Sequence, residues 1–161
     1  ALLQTVGFGF TNLVFTLVAM TVIDRYGRKK LLLSGAAGLT VCLAIVAYAL
    51  ARGVGVTVVG AALIGYIAFF AFSQGSVIWV YLSEIFPNRV RARGQALGSF
   101  THWFWAAVVG QTFPMIVDVS KSGPFVFFAA MMALQFVMVW RLLPETKGVS
   151  LEEIQRTLGI E

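Results

Sequence analysis

Three short charged motifs hold most of the reactive side chains of this chain, and each one closes a long apolar run. Asp24–Lys30 reads DRYGRKK, Ser83–Gly94 reads SEIFPNRVRARG, and Arg141–Gly148 reads RLLPETKG. The chemistry they offer is ion pairing, because a guanidinium can hold a carboxylate through two parallel N–H donors. In the first motif Asp24 can accept hydrogen bonds, Arg28 can form a bidentate pair, and Gly27 permits a backbone turn that larger residues resist. Asp24, Arg25, Gly27 and Arg28 together read as a turn that locks helix ends, while Lys29 and Lys30 read as plain interfacial charge. Glu84 sits at the edge of an apolar run, where an unpaired carboxylate is costly. Arg91 is its expected partner, and Pro87 stops or kinks the helix before it. As simple surface pairs these contacts are worth little; as exchangeable charges at helix ends they suit a gate. Covalent chemistry finds no support. His102 has no carboxylate partner in view, Cys42 is isolated, and the serines lack a visible base. The chain therefore reads as no enzyme, with no metal cluster and no cofactor.

The elements that position these motifs follow from composition. The chain has 161 residues, of which 59% are hydrophobic and 12% charged. A soluble domain usually carries about a quarter charged residues, and a soluble fold of this length could not hide so much apolar surface. Lipid is the natural solvent. The net charge of +5 does not mark a nucleic-acid binder, because the basic residues cluster at helix ends with no stacking aromatics between them. One cysteine excludes an intrachain disulfide and a cysteine-based metal site. The start, ALLQTVGFGF, lacks the basic region and cleavage site of a signal peptide. It opens inside an apolar stretch, as expected of a piece of a longer chain.

A spanning helix needs about 20 apolar residues. Five runs qualify: Leu2–Ile23, Leu31–Ala51, Val56–Leu82, Leu97–Val117 and Pro124–Leu143. Backbone groups in lipid must be satisfied within helices or closed barrels, and these runs are too long and continuous for barrel strands. The expected fold is all-α, a polytopic membrane helix bundle over residues 1–148. Arg25, Arg28, Lys29, Lys30, Arg89, Arg91, Arg93, Arg141, Lys147 and Arg156 fall on one side, and only Arg52 and Lys121 on the other. The positive-inside rule then puts the N-terminus outside and the C-terminus in the cytoplasm. Residues 149–161 form a cytoplasmic tail. Ser150 and Glu153 make a capping box, and Leu151, Ile154 and Leu158 share a face of a short amphipathic helix that stops at Gly159. Gly35 with Gly38, and Gly60 with Gly65, are expected to allow close helix approach. Pro114 is expected to kink the fourth span.

The motifs also carry a resemblance. D-R-x-G-R-[KR], then W-x-x-x-S-E-I-F-P-x-x-x-R-x-x-G, then P-E-T-K-G, in this order, is similar to the sugar porter family of the major facilitator superfamily. The match covers essentially the whole chain and resembles helices eight to twelve of a twelve-helix fold. It implies monosaccharide transport, of a hexose or a pentose, by alternating access, through facilitated diffusion or proton symport. The implied partners are a monosaccharide, the lipid bilayer and the N-terminal half of the same chain; the implied location is the cell membrane. Asp24, Arg28, Glu84, Arg91 and Glu145 would match the cytoplasmic charge network that closes the inner side, with Arg25 beside them. Trp79 would match a sugar-stacking tryptophan, a role that suits an indole face with its N–H donor; as a bare residue it reads equally as packing. His102 and Trp103 would match a polar-plus-tryptophan pair, where the family often has Asn or Gln instead of His. An intramembrane ionisable residue is a functional candidate, and a packed histidine bonded to a carbonyl is the alternative. Asn12 would match a polar position that reaches the sugar, or else bonds a neighbouring helix.

The departures matter as much. Many relatives carry G-P-x-P-W where this chain has Gly75–Ser76–Val77–Ile78–Trp79, which leaves the helix-ten break without prolines. Ala71 and Ala106 stand where relatives often have Glu and Asn, and Gln74 is a candidate substitute partner for a hydroxyl. Two other outcomes fit the same residues: a membrane sugar sensor on this bundle, and an inert truncated product.

Overall fold

The structure is a computed structural model that describes the backbone of residues 2–149 and the side chains of residues 5–149. All regular structure among the described residues is helical. The helices are α1 (Leu2–Tyr26), α2 (Arg28–Arg52), α3 (Val56–Phe72), α4 (Gln74–Ile85), α5 (Arg91–Val119) and α6 (Gly123–Leu142). The expected tail helix, Leu151–Leu158 with its cap at Ser150 and stop at Gly159, lies outside the described residues.

Four segments are long and apolar enough to cross a membrane: Thr5–Tyr26, Arg28–Arg52, Val56–Ile85 and Gly123–Leu142. The expected span Leu97–Val117 lies within α5, whose 29 residues suffice in length. Its apolar content falls short of the other four, because Gln95, Ser99, Thr101, His102, Gln111 and Thr112 are spread along it. The helix continues through Pro114 to Val119. The expected single span Val56–Leu82 is in fact two helices. They are broken at Ser73, which is non-helical at φ −124°, ψ −84°. No proline causes the break; hydroxyl groups hold it. Ser73 Oγ donates to the Phe69 carbonyl at 2.6 Å, and Ser76 Oγ donates to the Ala71 carbonyl at 3.0 Å. Side-chain bonds of this kind compete with the helical ladder and bend helices.

Packing centres on α2, which lies against α3 and α6. Leu31, Leu32, Leu39 and Val46 are almost wholly buried along it. Close approach depends on Gly35: a methyl there would collide with the Ser73 side chain at the α3–α4 break. Gly38 meets the Phe69 ring in the same way, and Gly65 faces Cys42; Gly60 meets nothing among the described residues, so the expected close approach is not made there. Among the described residues, helix α1 packs chiefly on α3, and α5 touches only α4 and α6. Helices α1 and α5 do not meet, and α4 contacts both. The main apolar cluster is Ile23, Leu31, Leu32, Val77, Tyr81 and Val139. It lies directly under the three charged motifs, so the ends of α1, α2, α4 and α6 are tied by both apolar packing and ion pairs.

Candidate functional site: a charge lock and an aromatic cleft

The three motifs, far apart in sequence, converge at one end of the bundle. Gly27 makes this possible. It separates α1 from α2 at φ +92°, and a Cβ there would stand 2.5 Å from a Glu145 carboxylate oxygen. Only glycine accepts both constraints. The chain then re-enters a helix at Arg28, whose side chain is 12% exposed. Its Nη2 donates to Glu84 Oε1 at 2.8 Å and its Nε to Glu84 Oε2 at 3.1 Å. This is the planar fork that suits arginine and not lysine. Nη1 lies 3.0 Å from Asp24, but that carboxylate is 79% exposed, so solvent screens the pair.

Glu145 closes the arrangement from the end of α6. Its Oε1 accepts from the backbone N–H groups of Arg28 at 2.8 Å, Thr146 at 3.1 Å and Lys147 at 3.1 Å. Thr146 Oγ1 donates to Glu84 Oε2 at 2.6 Å. The buried Tyr81 donates its hydroxyl to the Pro144 carbonyl at 3.1 Å. Lys147 Nζ donates to the Arg25 carbonyl at 2.6 Å, so Arg25 takes part through its backbone. Asp24, Arg28, Glu84 and Glu145 are therefore brought together at this end of the bundle. Arg91 is not the partner of Glu84. Its Nε donates to the Phe86 carbonyl at 3.4 Å, while its side chain lines a cleft of about 460 Å³ with Arg28, Glu84 and Thr146. Arg28 wins because it leaves the first turn of α2 already aimed across α4. Thr146 and Tyr81 are lock members that the sequence reading passed over. Thr146 had a signal, as the residue next to Glu145 in P-E-T-K-G.

The aromatic candidates form a second group further up α4. Trp79 and His102 meet edge-on with ring centroids 5.2 Å apart, and His102 meets Trp103 edge-on at 5.3 Å. Trp79, His102, Thr101, Leu82 and Phe86 line a cleft of about 420 Å³ between α4 and α5. Gly94 and Gly98 let α5 come this close, since a Cβ at either would press on Phe86 or Leu82. Trp79 is 38% exposed and lines this cleft, so part of its indole is open to a ligand there. Asn12, exposed on α1, is not part of this cleft. Nor is Gln74, whose Oε1 accepts a 2.8 Å bond from Gln135 Nε2 on α6. A larger concavity, about 830 Å³ between α5 and α6, is almost wholly apolar and lies apart from both groups.

An ionic lock at one end and an open aromatic cleft above it offer binding and gating. Residues 1–158 match the family described as Sugar (and other) transporter. The chain belongs to the sugar porter family of the major facilitator superfamily. It is 36% identical over 165 residues to the D-xylose-proton symporter of Escherichia coli K12, covering 96% of this chain and 33% of that protein. It is also 36% identical over 162 residues to the glucose facilitated diffusion protein of Zymomonas mobilis, covering 96% of this chain and 34% of the relative. Among solved structures, the inward open conformation of the xylose transporter XylE from E. coli superposes with a TM-score of 0.90 at 35% identity. That match covers 96% of this chain and 35% of the XylE chain. XylE bound to 6-bromo-6-deoxy-D-glucose gives the same TM-score at 34% identity, covering 97% of this chain and 34% of the other. The chain thus spans about a third of the length of the relatives it matches. This sugar porter chain is multi-pass and membrane-embedded, and its family carries solutes.

Proposed function

We propose that this chain forms the C-terminal part of a monosaccharide carrier that works by alternating access. In this reading α1, α2, α3 with α4, α5 and α6 are helices eight to twelve of a twelve-helix fold. The N-terminal end of α1 faces outside and the charge lock faces the cytoplasm. Trp79 supplies a stacking surface, and His102 with Trp103 supplies donors and a second wall. Asn12 and Gln74, outside the cleft here, are secondary candidates. The lock of Asp24, Arg28, Glu84, Thr146 and Glu145 holds the inner end of this half together. Arg91 and Arg25 remain for charges on the other half of the carrier.

One observation supports this reading above the others. Trp79 and Glu84 sit on the same 12-residue helix, α4. They are five residues apart, which is roughly 7.5 Å of rise. A rigid α4 therefore transmits any change at the lock to the wall of the cleft. Carriers of this general kind place substrate near mid-membrane on interrupted helices, and α4 is the short second part of an interrupted span.

The test is uptake of labelled D-xylose and D-glucose by the full-length protein in proteoliposomes, with and without an imposed proton gradient. Saturable uptake of either sugar is the expected result. Accumulation only with the gradient marks a symporter, and equilibration indifferent to it marks a facilitator. Saturable binding with no uptake of either sugar would overturn the transport reading in favour of a sensor.

A further inference from the structure

Between Pro124 and Trp140, α6 carries one polar side chain, Gln135. It is spent on the first residue of α4: Gln135 Nε2 donates to Gln74 Oε1 at 2.8 Å. The other half of the Gln74 amide, Nε2, is buried and has no hydrogen-bond partner. An interior amide left half-satisfied is costly, and here it stands one residue after the helix break. At that break Ser73 is fully buried against Gly35 of α2, and its N–H is shared between the Phe69 and Phe70 carbonyls at 3.1 and 3.2 Å. Shared and bent bonds of this kind mark where a helix can change its angle without losing its ladder outright. A pivot also needs a fixed point.

We propose that Gln135 is a positioning residue that pins the N-terminal end of α4 to α6, so that α4 swings about Ser73 when the lock at its opposite end, held through Glu84, opens. The inference rests on the transport reading for its purpose, and on the glutamine pair and the helix break for its substance. The pin is polar, whereas the rest of the α6 surface beside it is apolar. An apolar contact would let α4 slide along α6; a directional bond fixes one register. The unpartnered Nε2 of Gln74 gives the pin a second way to bond, since a carboxyl group at position 135 could accept from it. An ordinary interhelical bond of no positional consequence would be small in a membrane, and the two cases differ in what they do to the position of α4.

The experiment uses the full-length protein in lipid on a cysteine-free background that includes Cys42→Ser, with spin labels at Asn88→Cys beyond α4 and Leu142→Cys at the end of α6. Pulsed electron resonance then reads the distance between the lock end of α4 and α6. Gln135→Met, of similar volume but without the bond, is expected to shift the populations of the distance distribution at least threefold. Gln135→Glu, able to accept from Gln74 Nε2, is expected to restore it. Gln74→Met removes the same bond from the other side and decides the matter if Gln135→Met does not reach the membrane. An unchanged distribution in the methionine variants, with or without a lower unfolding midpoint, would reduce the pair to packing and overturn the proposal. The distances need no sugar movement. A protein that carries neither xylose nor glucose would sink the transport reading, while the pin would still stand or fall on the distances.

Discussion

At the scale of single residues, the Arg28–Glu84 fork is the contact that most needs its chemistry intact. Glu84 accepts three bonds, two from one guanidinium and one from Thr146. Hydrogen bonds to charged groups are worth about 1.5–3 kcal/mol, and 1.4 kcal/mol is about tenfold in an equilibrium constant. Glu84→Gln keeps the shape, removes the charge, and turns one acceptor into a donor that faces Arg28. It should shift the balance of inward and outward states of the full-length carrier about tenfold or more toward the state with the lock open. Accessibility of a cysteine introduced at the lock end to a maleimide, measured with Glu84 and with Glu84→Gln, reads that shift; equal labelling would count against a lock. Trp79 makes a different kind of contribution. Its indole is 38% exposed toward the cleft, so truncation leaves little of a buried void behind. Aromatic contacts of this sort contribute about 0.5–1.5 kcal/mol beyond area. Trp79→Ala should weaken sugar binding by about tenfold while the unfolding midpoint moves little, as titration calorimetry and thermal unfolding would show. Undiminished affinity would return Trp79 to a packing role.

At the scale of elements, the interrupted span explains what the sequence could and could not reveal. The apolar runs were legible because lipid tolerates nothing else at that length, and the charged motifs were legible because they punctuate those runs. The break at Ser73 was not. Its usual marker is proline, and here the work falls to two serine hydroxyls and a glycine on another helix, Gly35, which have no special meaning until α2 and α3 are packed together. The partner of Glu84 was misread for a similar reason: Arg91 is near in sequence, whereas Arg28 lies 56 residues away and is delivered by the fold. Gln135 went unnoticed as one polar residue in an apolar helix. Polar residues spread along α5 also hid how far it departs from a plain lipid-facing span. These points meet at Gly35. A methyl there would collide with Ser73, and overpacking of this sort typically costs about 1–3 kcal/mol. Gly35→Ala should therefore lower the unfolding midpoint by several degrees, at about 2–4 °C per kcal/mol for a protein of this size range. Gly60→Ala, which meets open space, should leave it unchanged. Equal midpoints for the two variants would mean that α2 does not approach the break as closely as described.

At the scale of the whole molecule, the uneven burial of the helices and the uneven spread of charge point the same way. Helix α2 is the buried centre, while α5 has no fully buried residue and shows Leu97, Phe100, Trp103 and Met115 to its surroundings. Such a surface is at home against lipid or further helices, and the length of the relatives supplies room for the latter. Charge predicts which end is which. Lys30, Arg89, Arg93 and Arg141 are exposed around the lock, whereas the opposite end offers Arg52 and Lys121. Positive residues in short loops remain on the cytoplasmic side during insertion, so the lock end should face the cytoplasm. Cys42, the one cysteine of these 161 residues, is buried in α2. On a cysteine-free background of the full-length protein, Lys121→Cys should react with a membrane-impermeant maleimide in intact cells. Asn88→Cys, exposed beside the lock, should react only after the membrane is opened. The reverse pattern would invert the bundle, and the lock would then guard the outer entrance to the cleft instead of the inner one.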